Sequence, residues 1–373
     1  MKNSFKIGEF KGIRIEINFS WLIIFVIIVW SMAANFFPAN FPELNLITRL
    51  LLGTLSAVLL FLSVLLHELA HAAISLIQKI PVKRITLVIF GGLAEMEKEP
   101  DEPVKEFKIA ISGPAMSLLL YIVFILLSNI LNRFGVQEAV VASFSYIASV
   151  NLILGLFNLI PAFPLDGGRV LRALIWHFSK DLHRATKVSS SIGRMFGYLL
   201  IFLGVLILLN GNFINGLWLL FIGWLINQMS QSSYQSMVVS NLFDKIQVSD
   251  FMNADVVSVE PFISVRKLVD DYFLKYKYTF FPVINGEIIL GIVNAGSVKS
   301  VPKDELSHTS VSTILVPLSD TLIVSPKETV SAAMKKTLSN GVGRVLVIED
   351  NRLLGLISKT DILKYLAIYE QLS

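Results

Sequence analysis

Three ionisable side chains within five positions carry the clearest chemistry in this chain. They are His67, Glu68 and His71, in the pattern H-E-x-x-H. On a helix, residues four positions apart lie on one face, so both imidazoles can bind one Zn²⁺ ion while the carboxylate acts as a general base for hydrolysis. The alternative is that they are core residues bonded to neighbouring helices. That alternative is weakened because ionisable groups are costly within the apolar sequence that surrounds them.

The composition indicates a membrane protein. Hydrophobic residues make up 54% of the 373 positions and charged residues 16%, against about 25% charged residues in an ordinary soluble domain. The long uncharged stretches lie before about residue 230, and the remainder has the regularly spaced charges of a soluble domain. The sequence contains no cysteine, which excludes disulfides, thiolate metal ligands and a thiol nucleophile.

Six apolar stretches are each close to the ~20 residues that a helix needs to cross a bilayer. They are predicted at 21–37, 48–77, 107–131, 139–163, 190–209 and 213–229. A cleaved signal peptide is excluded for the first stretch because no small-residue cleavage pattern follows it and further spans come after it. The chain is therefore predicted to be a multi-pass protein of the cell membrane.

The basic residues indicate how these spans are oriented. Residues 79–108 and 169–194 each hold six Lys or Arg residues, whereas residues 38–46 hold none. Because basic loops stay on the cytoplasmic side, both termini are predicted to be cytoplasmic. The same distribution assigns the basic charge to membrane orientation, and no nucleic-acid partner is expected.

A third metal ligand is expected, since catalytic zinc usually has three protein ligands and one open position. The best candidate is Asp166. It follows Pro161 and Pro164, which remove helical donors near the end of the fourth span, and it precedes two glycines. On such a turn a short carboxylate can reach a neighbouring helix. The alternative is a proline-rich exit from the span in which Asp166 is only a turn residue.

Together the two motifs, H-E-x-x-H and N-x-x-P-x-x-P-L-D-G, resemble the site-2 protease family of intramembrane zinc metalloproteases. The resemblance covers roughly residues 10–230 and includes Gly113-Pro114 and Phe90-Gly91-Gly92. It implies a membrane-embedded protease domain at residues 1–230 that cleaves membrane-spanning segments of substrate proteins.

The resemblance also implies roles for individual residues. His67, His71 and Asp166 look like the ligands of one zinc ion per chain, with Glu68 as the catalytic base. Asn158, the asparagine of the second motif, is expected to orient substrate or stabilise the oxyanion. Asn151, one or two turns earlier, is a weaker candidate for supporting the site.

Residues 84–96 are rich in β-branched residues around a Gly-Gly pair and are predicted to form a hairpin at the membrane edge. Similar segments in the family suggest an edge strand that pairs with extended substrate. The alternative is an interfacial hairpin that only packs against the spans.

The C-terminal part of the chain repeats itself. Residues 281–293 align with residues 345–357 at a shift of 64 positions. Two copies of a helix and a strand-turn-strand unit indicate an internal duplication. This arrangement resembles a tandem pair of cystathionine-β-synthase (CBS) domains. The predicted boundaries are a linker at 231–245, a first repeat at 246–305 and a second repeat at 306–373.

CBS pairs commonly bind adenine nucleotides between their repeats, so the resemblance implies ATP, ADP or AMP as a ligand. The second repeat keeps the ribose-binding pattern as Ser358, Thr360 and Asp361, while residues 294–297 of the first repeat have no acid, and one nucleotide site is predicted. One alternative is that Thr360 or Asp361 only caps the last helix. Another is that the tail serves homodimerisation or substrate docking.

The predicted fold is a polytopic α-helical membrane protein with about six transmembrane helices, followed by an α/β tandem CBS module. The predicted function is zinc-dependent cleavage of transmembrane segments, regulated through the cytoplasmic CBS pair. One rival is a non-proteolytic membrane regulator or transporter with a nucleotide-sensing tail, which the intact set of candidate site residues disfavours. A zinc channel or exporter would need further acidic or histidine positions across both leaflets, which the spans lack.

Overall fold

The computed structural model describes residues 4–88, 91–96 and 98–372. The chain divides into two compact units, Met1–Gln235 and Ser236–Ser373. The first unit holds long apolar helices and a small sheet, and the second is a sheet covered by short helices.

The helices between Phe19 and Asp244 include one helical stretch for each of the six predicted spans and one further short helix before the fifth span. They are α1 (Phe19–Ser31), which continues through a π-helical turn (Met32–Phe36) into α2 (Phe37–Asn40), α3 (Leu46–Ile77), α4 (Pro103–Arg133), α5 (Glu138–Asn158), α6 (Asp166–Ser179), α7 (Leu182–Leu209) and α8 (Phe213–Asp244). Within the described residues, six helical stretches are long and apolar enough to cross a membrane, which confirms the predicted fold class. The helix α8 extends to Asp244, so it includes most of the predicted linker.

Local sequence explains where several of these helices begin and end. The side chain of Asn45 accepts a hydrogen bond from the backbone N–H of Thr48 and caps α3, and Asp181 caps α7 through Arg184 in the same way. Pro103 lies in the first turn of α4, where its missing N–H costs nothing. The helix α5 ends at Asn158, just before the proline-rich segment that was predicted to break it.

A four-stranded sheet packs beside the helices. Its strands are β1 (Ser4–Phe10), β2 (Ile13–Asn18), β3 (Val82–Val88) and β4 (Gly91–Met96), in the order β1-β2-β3-β4. The predicted hairpin is present as the antiparallel pair β3 and β4, with β4 at the sheet edge. Phe90 of the quoted motif lies outside the described residues. The strands β1 and β2 were not predicted, although the buried Ile13, Ile15 and Ile17 alternate with charged residues.

The second unit repeats its architecture as the sequence does. Its helices are α9 (Val248–Phe251), α10 (Val265–Lys267) with a π-helical continuation (Leu268–Leu274), α11 (Ala295–Lys299), a 3₁₀ turn (Val311–Ile314), α12 (Val330–Ser339) and α13 (Lys359–Leu372). Its strands are β5 (Phe280–Asn285), β6 (Ile288–Asn294), β7 (Ile323–Val324), β8 (Arg344–Glu349) and β9 (Arg352–Ser358), in the order β5-β6-β9-β8-β7. The antiparallel pairs β5-β6 and β8-β9 each carry a register shift, at Val283 and at Val347, which are 64 positions apart. The duplication is therefore preserved even in the irregularities of the strands.

Candidate active site

Three side chains converge at one point inside the first unit. His67 and His71 come from α3, and Asp166 is the first residue of α6. Asp166 Oδ2 lies 3.2 Å from Nε2 of each histidine, and the two Nε2 atoms are 3.3 Å apart. Ligands bound about 2.1 Å from a tetrahedral zinc ion are roughly 3.4 Å from one another. Two imidazole nitrogens and a carboxylate oxygen at this spacing therefore fit zinc in both chemistry and geometry.

The helix α4 orients both imidazoles. Nδ1 of His71 lies 2.7 Å from the carbonyl oxygen of Ile109, and Nδ1 of His67 lies 2.9 Å from the hydroxyl of Ser117. A carbonyl oxygen only accepts hydrogen bonds, so Nδ1 of His71 carries the proton and its Nε2 lone pair points to the common centre. Ser117 was missed by the sequence reasoning, because a serine in an apolar helix has no diagnostic spacing.

A glycine makes room for this convergence. A Cβ atom on Gly113 would lie 2.1 Å from Nε2 of His71 and 2.6 Å from Nε2 of His67. Both distances are far inside van der Waals contact, so any side chain at this position would displace an imidazole. The sequence marked Gly113 only through the family resemblance, and the structure supplies the steric reason for it.

The turn that carries Asp166 is packed backbone to backbone. A Cβ on Gly167 would lie 2.2 Å from the carbonyl oxygen of Leu159, and one on Gly168 would lie 2.2 Å from the backbone nitrogen of Phe163. The hydroxyl of Ser189 donates to the Gly168 carbonyl at 2.7 Å. Two neighbouring glycines thus let α6 begin directly against the preceding segment, and Asp166 enters the site from that turn.

Glu68 lies beside the three converging groups without joining them. Its side chain is half-buried, and its neighbour in space is the edge strand β4. A Cβ on Gly92 would lie 2.1 Å from Cγ of Glu68, so the strand backbone passes directly over this carboxylate. The candidate base therefore lies between the histidine pair and the edge of the sheet.

The two candidate asparagines occupy different positions. Asn151 is fully buried, and its Nδ2 donates to Ser63 Oγ at 3.0 Å and to the carbonyl oxygen of Ile147 at 2.9 Å. Ser63 lies on α3, one helical turn before His67. Among the described hydrogen bonds, those of Asn151 therefore connect it to the helix that carries the histidines and not to the histidines themselves. Asn158 is the last residue of α5 and is half-buried. The roles of both asparagines stay predictions.

The second unit contains a cleft where the nucleotide motif was predicted. Its cavity has a volume of about 230 Å³ and is lined by Ser358, Thr360 and Asp361, together with Tyr278 and Arg344. Asp361 Oδ2 accepts hydrogen bonds from the backbone N–H and the hydroxyl of Ser358, at 2.9 and 2.6 Å. The carboxylate therefore caps α13 and lines the cleft at once. The capping alternative and the binding prediction do not exclude each other.

The first repeat shows the same local structure without an acid. The side chain of Asn294 accepts from the backbone N–H groups of Gly296 and Ser297, and the Ser297 hydroxyl accepts from the Asn294 N–H. Asn294 and Ser297 occupy the positions of Ser358 and Asp361 at the repeat shift of 64. This comparison supports the prediction of one acid-bearing cleft.

Comparison with known proteins gives one consistent result. Residues 55–142 and 129–203 match the model of peptidase family M50, and residues 248–303 and 311–368 match the CBS domain model. The zinc metalloprotease MJ0392 of Methanocaldococcus jannaschii is 30% identical over 99% of this chain and 98% of its own length.

Two solved structures each match part of the chain. The site-2 protease from Methanocaldococcus jannaschii is 28% identical and matches 61% of this chain and 94% of its own, with a TM-score of 0.43. The CBS domain of a bacterial CNNM/CorC family Mg²⁺ transporter, in complex with ATP, is 18% identical and matches 36% of this chain and 97% of its own, with a TM-score of 0.31. The motifs, the converging side chains and a relative matched along almost its whole length place the chain in peptidase family M50, the site-2 protease family of zinc metalloproteases, with a tandem pair of CBS domains.

Proposed function

We propose that this enzyme is an intramembrane endopeptidase that hydrolyses peptide bonds within transmembrane segments of other membrane proteins. The observation that carries this proposal is the location of the site. His67 and His71 lie on α3, a helix long and apolar enough to span the membrane, and Asp166 follows the end of a second such helix, α5. In this proposal the three residues hold one zinc ion per chain, and the basic segments place both termini in the cytoplasm.

Each residue of the site has a defined task in hydrolysis. When bound, zinc supplies Lewis acidity that polarises the scissile carbonyl and acidifies water. Glu68 accepts the proton of the attacking water and delivers it to the departing amine. Asn158, at the end of α5, orients the substrate or donates a hydrogen bond to the developing oxyanion. Asn151 supports the position of α3 through its bond to Ser63.

The edge strand β4 supplies a way to hold the substrate. A transmembrane helix shields its peptide bonds through its own hydrogen bonds, so the segment to be cleaved must unwind. An unwound segment can pair with the free edge of a sheet, where backbone hydrogen bonds replace those lost from the helix. Because Gly92 of β4 lies against Glu68, a segment paired with β4 passes close to the catalytic base.

Metal content and cleavage together test this function. Purified protein is expected to hold about one zinc ion per chain, and His67→Ala, His71→Ala and Asp166→Ala should each lower this occupancy because three ligands bind far more tightly than two. His177→Ala changes an exposed histidine in α6 and serves as the matched control. Cleavage is measured in liposomes on a panel of single-span proteins. Full zinc retention by Asp166→Ala would remove Asp166 from the ligand set, and a zinc-loaded enzyme that cleaves no member of the panel would contradict the proposed activity.

The CBS pair is proposed to regulate cleavage by binding an adenine nucleotide. In this cleft, Asp361 can accept hydrogen bonds from ribose hydroxyls, and the N-terminal end of α13 favours phosphate. The guanidinium carbon of Arg344 lies 5.1 Å from the ring centre of Tyr278. Binding changes activity only if the nucleotide prefers one of two arrangements of the enzyme, and a coupling free energy of about 1 to 3 kcal/mol is typical.

Calorimetry with ATP, ADP and AMP on the full-length protein tests this regulation. At least one nucleotide is expected to bind, and Asp361→Ala should weaken binding by about tenfold or more because the ribose loses a charged acceptor. Ser297→Ala is the matched control, since it removes the equivalent capping side chain of the first repeat. If no nucleotide binds the native protein, the cleft is not a nucleotide site. If binding leaves the cleavage rate unchanged, the regulatory proposal is wrong.

A further inference from the structure

One face of α4 contacts both histidines of the metal site and also α6, the helix that begins with Asp166. Glu106, Ile109, Gly113 and Ser117 are separated by three or four positions each, so they form a single stripe along the helix. Three of them contact the histidines. The backbone carbonyl of Ile109 bonds to Nδ1 of His71, the hydroxyl of Ser117 bonds to Nδ1 of His67, and Gly113 leaves space for both rings. Glu106 is the fourth member of the stripe, and it faces α6 instead.

Glu106 forms a buried ion pair with α6. Its side chain is 1% exposed and that of Arg172 is 11% exposed. Nε of Arg172 donates to Oε1 of Glu106 at 2.7 Å, and Nη2 of the same guanidinium contacts the same oxygen. Nε of Arg169 lies 4.0 Å from that oxygen as a second cation. The guanidinium carbon of Arg172 also lies 5.3 Å from the ring centre of Phe163, in the turn that leads to Asp166.

A buried pair of this kind is weak evidence for stability. Removing two charges from water costs solvation energy, and well-packed apolar residues often stabilise a protein as well or better. The pair does, however, impose a definite geometry, because a guanidinium fixes both the direction and the distance of its carboxylate partner. Here it connects the helix that orients both histidines with the short helix whose first residue is Asp166.

The beginning of α6 is held by backbone contacts and by the Ser189 hydroxyl, and charged side chains add a second constraint further along the helix. Its first turn contains Gly167 and Gly168, which have no side chains that interdigitate with a neighbour. The nearest charged anchor further along α6 is the pair of arginines, Arg169 and Arg172, that faces Glu106. Arg172 lies six positions after Asp166, so the ion pair joins Glu106 to α6 less than two helical turns from the candidate ligand.

We infer that the Glu106–Arg172 pair is a positioning device for the third metal ligand, holding Asp166 in register with His67 and His71. This inference rests on the proposed zinc site. Through the pair, the single stripe on α4 determines the location of all three ligands, two by direct hydrogen bonds and one through Arg172. Groups that hydrogen-bond directly to metal ligands typically change metal affinity by about 10- to 100-fold, and this range sets the size of the effect expected from a pair that acts through α6.

The test compares metal binding by full-length Glu106→Gln, Arg172→Gln and Arg172→Lys proteins in lipid nanodiscs. Zinc affinity is measured by chelator competition, and the ligand geometry by the visible absorption bands of the Co²⁺-substituted protein. Glu106→Gln and Arg172→Gln are expected to lose about 10- to 100-fold in zinc affinity and to shift the cobalt bands. Arg172→Lys keeps the charge without the planar fork, and it should recover part of the affinity lost in Arg172→Gln.

Lys105→Gln is the matched control, because Lys105 lies beside Glu106 in the first turn of α4 and forms an exposed ion pair with Asp101, which precedes the helix. It should leave zinc affinity and cobalt bands unchanged.

Thermal unfolding of each variant is recorded as well, and the Co²⁺ bands of Arg172→Lys keep the test decisive if Glu106→Gln does not fold. Native affinity and native bands in the Glu106 and Arg172 variants would overturn the positioning role, as would equal losses in Lys105→Gln. Native protein that binds no zinc would instead contradict the proposed metal site itself.

Discussion

Glu68→Gln is expected to lower cleavage by at least ~10²-fold while zinc content stays at the level of the native enzyme. A general base typically contributes a factor of this size or more, and a glutamine amide cannot accept the proton of the attacking water. Zinc should be retained because Glu68 lies outside the group formed by His67, His71 and Asp166. The measurement is the cleavage rate of a reconstituted single-span substrate beside metal analysis of the same sample.

The matched control for this change is Glu95→Gln. Glu95 lies on β4, close in sequence to Gly92, and its half-exposed carboxylate pairs with Arg84 at 2.6 Å. We expect it to keep cleavage within about threefold of the native rate, since exposed ion pairs contribute little. A Glu68→Gln enzyme with near-native turnover would show that another group accepts the proton.

Gly113→Ala is expected to abolish zinc binding, and cleavage with it. The new Cβ atom would lie 2.1 Å from Nε2 of His71 and 2.6 Å from Nε2 of His67, so at least one imidazole must leave the ligand position. Metal analysis after chelator treatment and zinc reloading measures the effect. No ordinary adjustment relieves the clash, because both contacts are to the ligand atoms themselves.

Gly155→Ala is the control for a methyl group added at a buried glycine of a neighbouring helix. There the nearest atom is Cδ2 of Leu118 at 3.1 Å, the end of a flexible side chain. We expect this variant to keep its zinc with a modest change in thermal stability. Full zinc occupancy in Gly113→Ala would mean that the metal is held elsewhere than at the converging Nε2 atoms.

The local periodicity of the sequence was sufficient to predict the membrane spans and the placement of both histidines on one helix face. His67 and His71 are one turn apart, so any helix brings them to one face. The proline-rich break before Asp166 could also be predicted, because Pro161 and Pro164 remove two backbone donors within one turn, whereas α4 accommodates the single Pro114. These features depend only on residues that are close together in the sequence, so they could be predicted from the sequence alone.

The remaining parts of the site depend on contacts between distant segments. Ser117 binds a histidine 50 positions away, and Glu106 binds Arg172, which is 66 positions away. Neither residue has a local signature, since a serine or a glutamate in a long apolar helix has many ordinary uses. The strands β1 and β2 were overlooked for a different reason: their alternating pattern is short and borders a much stronger apolar signal.

The stripe on α4 also restricts insertions and deletions within this helix. One inserted or deleted residue rotates everything beyond it by about 100° and moves it by about 1.5 Å. Between Glu106 and Ser117, such a change would turn part of the stripe away from the ligands while leaving the composition of the helix almost the same. Beyond Ser117, the same change would alter packing along α5 without rotating the stripe. Residues 106–117 thus form a segment whose residue count is fixed by the stripe, so an insertion or deletion there is more damaging than an exchange at a position outside the stripe.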